Sequence, residues 1–169
     1  MTGQPIRDEV DTIVEAWRRE RPDLDVAPME VLSRISRLAH HLDRVRGNAF
    51  SAHDLEHWEF DVLAALRRSG PPYRLSPGQL LRETLVTSGT MTNRIDRLAA
   101  RGLVARQDHP ADRRGVLVQL TEAGRDAVDA ALAELLVAEH GILAALDTSE
   151  HDQLTRSLRL LLTRYGVDR

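Results

Sequence analysis

The stretch that decides the fold is residues 76–120, SPGQLLRETLVTSGTMTNRIDRLAARGLVARQDHPADRRGVLVQL. It opens with a helix start in which Ser76 is the N-cap, proline occupies the first helical position and Gln79 closes a capping box. A turn at 84–86 separates this short helix from a second one. Thr87 or Ser88 caps that second helix, and a glycine ends it near residue 102.

Two strand-like runs follow, at 103–106 and 115–120, and the segment 108–114 between them reads as a polar loop. A helix-turn-helix followed by such a hairpin predicts a winged helix. The second helix of this motif, here called the reading helix, is the element that usually enters the major groove of DNA. A short strand at 73–75 is expected to join the wing as a third member.

Apolar residues at helical spacing predict further helices on both sides of this stretch. They lie at about 6–21, 27–47, 55–68, 121–146 and 150–165. The predicted fold class is therefore mainly α with a small β-wing. We divide the chain into an extra N-terminal helix with a first dimerisation helix (1–54), a winged helix-turn-helix domain (55–120) and C-terminal dimerisation helices (121–169).

The helices at the two ends carry more apolar surface than a winged helix of about 45 residues can cover. One interpretation is a self-contained helical core. The other is a two-fold homodimer whose interface uses both chain ends. Two winged helices about one DNA turn apart would then read a palindromic operator.

Composition limits the possible classes of protein. With no cysteine among 169 residues, disulfides and thiolate metal sites are excluded. No apolar run reaches the ~20 residues that cross a bilayer, so we expect a cytoplasmic protein without membrane contact. The net charge is −3, yet residues 74–114 carry +4 and the remainder −7. A basic region on an acidic body favours DNA as a partner.

The reading helix has an outer face of small polar residues together with Asn and Arg. Such side chains suit a major groove, because Asn pairs with adenine and Arg with guanine. Arginines at the wing tip suit a minor groove, where the negative potential attracts them. The candidate DNA-binding residues are Ser88, Thr90, Thr92, Asn93, Arg97, Arg113 and Arg114.

Enzymatic chemistry finds no support in the sequence. It contains no phosphate-binding glycine loop, no GxSxG elbow and no HExxH motif, so we expect neither an enzyme nor a cofactor. His53 and His57 leave a zinc site open as a minor alternative, but we predict no metal. His140 could titrate near neutral pH.

Asp61 lies in the middle of a predicted helix that is apolar nearly all round, and such a helix is buried on most sides. An unpaired buried carboxylate is costly, so Asp61 should have a partner. Arg94 points partly inward by helical arithmetic and is one candidate. Arg106 on the first wing strand is the other.

The chain resembles the MarR family of winged-helix regulators. The resemblance lies in the reading helix ending RIDRLAARGLV (94–104) and in the wing and exit helix DRRGVLVQLTEAGR (112–125), and it extends from about Val31 to Leu162. It implies a dimeric repressor that small ligands release from DNA.

The urate-responsive, PecS-like branch of that family has an extra N-terminal helix and four characteristic ligand-site residues. This sequence matches all of them, at Trp17, Asp61, Arg94 and Arg106. The resemblance therefore implies a site for a small planar anion such as urate, in which Trp stacks on the ring and Arg neutralises its charge. Two alternatives stay open: a repressor that responds to citrate-like carboxylates, and a ligand-independent DNA-architectural protein.

Overall fold

The computed structural model describes residues 7–84, 87–109 and 112–164. The fold is mainly helical with a small antiparallel sheet, which confirms the predicted fold class. The chain forms two compact units, residues 1–45 and 46–169. Its elements are α1 (Glu9–Glu20), α2 (Ala27–Ser51), α3 (His57–Arg68), β1 (Arg74–Leu75), α4 (Pro77–Thr84), α5 (Ser88–Ala100), β2 (Val104–His109), β3 (Asp112–Leu120), α6 (Glu122–Leu143) and α7 (Thr148–Thr163).

In the N-terminal unit, α1 begins with a capping box. The Asp8 carboxylate accepts hydrogen bonds from the backbone N–H groups of Val10 (2.8 Å) and Asp11 (3.2 Å). The Asp11 carboxylate accepts one in return from the Asp8 backbone at 2.8 Å. Val10 and Val14 are buried one helical turn apart and pack in a small core with Val26.

Arg34 of α2 ties this capping box to the next helix. Its guanidinium donates to Asp8 at 2.7 and 2.9 Å and to Asp11 at 2.8 Å. The hydrogen bond from Arg34 lowers the pKa of Asp8, and backbone and Arg34 hydrogen bonds together lower the pKa of Asp11. The start of α1 is therefore fixed to α2 by charge as well as by apolar contact.

Helix α2 continues to Ser51, so the predicted end near Gly47 is wrong. Ala49 and Phe50 are buried, and the Phe50 ring stacks on Phe60 with centroids 4.1 Å apart. Tertiary packing thus holds the last turn together. A Cβ at Gly47 would lie 3.2 Å from Nε2 of His57, so this glycine admits a neighbouring side chain and does not end the helix.

The sheet of the second unit has the strand order β1-β3-β2, and all pairs are antiparallel. The predicted short strand before the helix-turn-helix therefore does join the wing. Strands β2 and β3 are longer than predicted and pair out to His109 and Asp112, so the polar loop expected at 108–114 is wrong. A two-stranded extension can carry polar residues on both faces, which is why its sequence does not resemble a half-buried strand. Residues 110 and 111 lie outside the described part.

The core of the second unit lies between α3, the helix-turn-helix, the sheet and α6. Its buried side chains stand at helical spacing on each helix. They include Val62, Leu63 and Leu66 of α3, Leu80 of α4, Met91, Ile95 and Leu98 of α5, Val118 of β3, and Val128 and Ala131 of α6.

Thr121 joins three elements at the start of α6. Its backbone N–H donates to the Leu103 carbonyl at 3.2 Å, and its hydroxyl lies 2.7 Å from the Gly102 carbonyl oxygen. The same hydroxyl caps α6 by accepting from the Gly124 N–H at 3.0 Å. A Cβ at Gly124 would lie only 2.0 Å from the Leu103 carbonyl oxygen, so this close approach of two backbones requires glycine.

Candidate DNA interface and ligand residues

The reading helix is α5, and it turns one apolar stripe inward. Met91, Ile95 and Leu98 of this stripe are fully buried. Leu80 of α4 is buried as well, and the two helices of the motif are in contact. This packing fixes which face of α5 stays in contact with solvent.

The outward face of α5 is small and polar, as predicted. The exposed residues of its first half are Ser88, Gly89, Thr90, Thr92 and Asn93. The Thr92 hydroxyl donates to the Ser88 carbonyl at 3.3 Å, and the hydroxyls of Thr87 and Thr90 lie 3.0 Å apart. Two threonine hydroxyls thus have partners within the helix, while Asn93 remains available for outside contacts. Their contact with DNA stays a prediction.

Arg97, in the second half of α5, is held by α3. Its guanidinium donates to Glu56 at 2.7 Å and lies 4.7 Å from the centroid of the Trp58 ring. The Trp58 indole N–H donates to the same carboxylate at 2.6 Å. The hydrogen bonds from Trp58 and Arg97 both lower the pKa of Glu56, and the bond from Trp58 has the larger effect. The sequence did not indicate that a predicted base-reading arginine would have an acidic partner in its own chain.

Arg113 and Arg114 lie on β3, at the outer part of the wing. The register of the two strands is irregular there, because His109 pairs with Asp112 and Asp108 pairs with Val116, and the two arginines lie between these paired positions. The side chains of both arginines lie outside the described part of the structure. Their predicted entry into a minor groove therefore stays a prediction.

The four predicted ligand residues belong to two different units of the chain. Trp17 belongs to the N-terminal unit, where its side chain is 47% exposed. In the second unit, Arg94 lies over the Trp58 ring at 5.4 Å, and Arg106 of β2 forms an ion pair with Asp96 of the reading helix. Whether these residues bind a ligand stays a prediction.

The expected burial and pairing of Asp61 are wrong. Asp61 is exposed on α3, and it makes no ion pair with any described residue. The helix buries its opposite face, on which Leu63 and Leu66 are fully covered. Neither Arg94 nor Arg106 holds Asp61, so a switch in which Asp61 fixes Arg94 in the free protein is not the arrangement found.

The buried acid of this helix is Glu59, which the sequence analysis missed. Its side chain is 1% exposed and accepts a hydrogen bond from Arg101 at 2.6 Å. Arg101 also donates to the carbonyl of Asp54 at 2.6 Å and to its carboxylate at 2.7 Å. The hydrogen bond to Glu59 raises the pKa of Arg101. The signal was present, because Glu59 stands four and seven residues before buried leucines and so shares their face.

The histidines do not assemble a metal centre in the part of the chain that the structure describes. His53 Nε2 lies 2.9 Å from Glu134 on α6, and the His57 ring packs edge-on against Phe50. His140 Nδ1 lies 2.6 Å from the Leu136 carbonyl oxygen. Among the described helices, none is long and apolar enough to cross a membrane.

Comparisons with known proteins agree with this architecture. A sequence model described as the MarR family matches residues 53–115. The HTH-type transcriptional regulator PecS of Dickeya dadantii (strain 3937) is 40% identical over 146 residues, which cover 86% of this chain and 88% of PecS.

Solved structures of other regulators have the same fold as this chain. BpsR of Bordetella bronchiseptica, whose DNA binding is regulated by 6-hydroxynicotinic acid, is 28% identical, with a TM-score of 0.64 over 78% of this chain and 91% of its own. Sco3205 of Streptomyces coelicolor, solved in complex with DNA, shares the fold at 20% identity, with a TM-score of 0.71 over 86% of this chain and 96% of its own. The chain belongs to the MarR family, whose members are DNA-binding transcriptional regulators and not enzymes.

Proposed function

We propose that this protein is a ligand-responsive repressor that binds a palindromic operator as a homodimer and is released by a small planar anion of the urate type. The observation that carries the DNA part is the exposed polar face of α5 beside the wing. Membership of the family supports it. The ligand part rests on Trp17, Asp61, Arg94 and Arg106.

We propose that the first half of the reading helix recognises the DNA sequence. Asn93 is exposed and can pair with adenine, while Ser88, Thr90 and Thr92 suit phosphates or a thymine methyl. Arg97 is proposed as a base contact once Glu56 releases it. Arg113 and Arg114 on the wing are proposed for the minor groove.

The homodimer is supported by apolar surface that a single chain leaves uncovered. Helix α7 has no buried residue. Exposed large apolar side chains concentrate on the helices at the two chain ends. They include Val31, Leu32, Ile35 and Leu38 of α2, Leu132, Leu136, Val137 and Leu143 of α6, and Leu154, Leu158, Leu160, Leu161 and Leu162 of α7. Exposed apolar surface of this extent marks an interface.

The ligand is proposed to act through Arg106. This arginine connects the first wing strand to the reading helix by its ion pair with Asp96. An anion that competes for Arg106, and draws Arg94 away from the Trp58 ring, would loosen the reading helix at two points. BpsR supports the chemical class, because 6-hydroxynicotinic acid is also a planar ring with an acidic group. A citrate-like carboxylate is the second candidate, since two arginines suit it equally well.

The proposal is tested with an operator selected from a random DNA library. We expect the selected sequence to be palindromic and the complex to contain two protein chains. Urate at micromolar to low-millimolar concentration should weaken binding by roughly 5- to 150-fold, the usual range of an allosteric coupling. Fluorescence anisotropy of labelled DNA measures this release.

Two variants locate the ligand site. Arg106→Ala should bind DNA but lose its response to urate, whereas Arg125→Ala, an arginine of similar exposure (41% against 44%), should respond as wild type does. If citrate releases the protein from DNA, urate does not, and the response is lost in Arg106→Ala, the proposed site is correct and the proposed ligand is wrong. Equal affinity for all sequences, with a steep salt dependence, would instead indicate an architectural protein.

A further inference from the structure

The start of α3 faces the reading helix with two carboxylates. Glu56 and Glu59 form the capping box of α3, three residues apart. Arg97 and Arg101 stand four residues apart on the facing side of α5 and its C-cap. Each acid takes one arginine, with Glu56 2.7 Å from Arg97 and Glu59 2.6 Å from Arg101.

These two ion pairs differ in burial. Glu59 is 1% exposed and Arg101 is 34% exposed, so this pair is partly buried. The side chains of Glu56 and Arg97 are 57% and 52% exposed. An exposed pair is weak because water and salt screen it, so it can be exchanged for another partner at little cost. Of these two arginines, Arg97 is the one that can be released.

Trp58 keeps the exposed pair in a fixed geometry. Its indole N–H donates to one oxygen of Glu56 while Arg97 donates to the other. Its ring lies beneath both Arg97 and Arg94, at 4.7 and 5.4 Å from the centroid. The lowered pKa of Glu56 means that this carboxylate is ionised at neutral pH. Arg97 is therefore neutralised by a carboxylate of its own chain in this structure.

We propose that Glu56 is a specificity-determining residue that competes with DNA for Arg97. The inference rests on the proposed operator binding. On an arbitrary sequence, Arg97 gains only a phosphate in exchange for Glu56, and the Glu56 charge itself repels the backbone. On the operator, a correctly placed guanine offers Arg97 two hydrogen-bond acceptors. These two hydrogen bonds offset the loss of the ion pair with Glu56. Glu56 thus weakens non-operator binding more than operator binding.

The substitution that tests this is Glu56→Gln, because glutamine keeps the size and an oxygen acceptor for the Trp58 indole but removes the charge. Affinity for operator and for a scrambled duplex should be measured over a range of salt concentrations. On scrambled DNA we expect tighter binding, by up to about 8-fold at ~0.1 M salt, with a salt slope steeper by about 0.9, as for one added phosphate contact. On the operator the gain should be smaller, so that the ratio of the two affinities falls.

Two further variants test whether the effect depends on Arg97 and on the position of the charge that is removed. In the Arg97→Ala background, replacing Glu56 by glutamine should no longer change the ratio of the two affinities, because only the sequence-independent repulsion of the DNA backbone by Glu56 is left. Glu20→Gln removes an exposed acid of the N-terminal unit that pairs with Arg19 at 3.0 Å, and it should leave both affinities and both slopes unchanged.

The outcomes separate the inference from the proposed function. If wild type and Glu56→Gln bind both duplexes with equal affinities and slopes, the inference is overturned while operator binding stands. If Glu56→Gln weakens both complexes, Glu56 supports the reading helix and does not compete for it, and the inference is again overturned. If wild type selects no operator, the proposed function fails, and the inference fails with it.

Discussion

Replacing Arg101 by alanine tests the buried ion pair at the end of the reading helix. Arg101 lies 2.6 Å from Glu59, whose side chain is 1% exposed. Removing one partner of a buried pair costs about 3–5 kcal/mol, because the other charge stays buried alone. Here the cost is reduced, because Arg101 is 34% exposed and Glu59 also accepts a hydrogen bond from the Glu56 backbone at 2.9 Å.

We therefore expect Arg101→Ala to lose about 2–4 kcal/mol of unfolding free energy at pH 7.

Urea denaturation followed by circular dichroism measures this loss, at one protein concentration because the proposed dimer would make stability depend on concentration. Arg19→Ala is the control, since its pair with Glu20 is 71% and 68% exposed and should contribute less than ~1 kcal/mol. Adding Glu59→Gln to Arg101→Ala should recover part of the loss. A loss below about 1 kcal/mol at pH 7 would refute the reasoning.

Three further predictions follow from packing and charge. Gly124→Ala should lose about 1–3 kcal/mol of unfolding free energy in urea, because its Cβ would lie 2.0 Å from the Leu103 carbonyl oxygen. Leu136→Glu, at a side chain 42% exposed on α6, should convert a dimer to a monomer in sedimentation at micromolar concentration. The pKa of Asp8 is lowered by Arg34, so the stabilisation of α1 is present above about pH 4. It should be lost as the pH falls further, which hydrogen exchange of α1 amides measures.

Each of the three has a result that would contradict it. Gly89→Ala is the control for the glycine, because nothing lies within 4 Å of its added Cβ, and equal losses at both positions would remove the steric argument. A dimer unaffected by Leu136→Glu would place the interface elsewhere. Acid sensitivity of α1 that persists in Arg34→Ala would show that Asp8 and Arg34 do not cause it.

Local signals in the sequence predicted the elements well. The capping box of Ser76 and Gln79 forms as expected, with bonds of 2.8 and 3.3 Å. Asp147 caps α7 by accepting from Glu150 at 2.9 Å. These motifs depend on residues three positions apart, so neighbouring sequence is sufficient to determine them.

The ion pairs could not be predicted in the same way. Asp61 and Glu59 are two residues apart on one helix, and the apolar pattern around them predicted burial of Asp61, whereas Glu59 is the buried one. Which face of α3 is covered depends on α5 and α6, which lie far along the chain. Arg97 and Arg101 reach acids 41 and 42 residues away, and no local pattern specifies such pairs. The separation of exposed from buried pairs likewise requires the assembled fold.

The contacts of Thr121 have a mechanical consequence. Helix α6 has 22 residues, and at 1.5 Å per residue it is a rod about 33 Å long. One end of this rod is pinned by hydrogen bonds to Gly102 and Leu103, where the reading helix passes into the wing. Val128 and Ala131 of the same helix are buried in the core of the second unit, so the rod is also held along its first half. A movement of the start of α6 must therefore carry that core and the start of the wing with it.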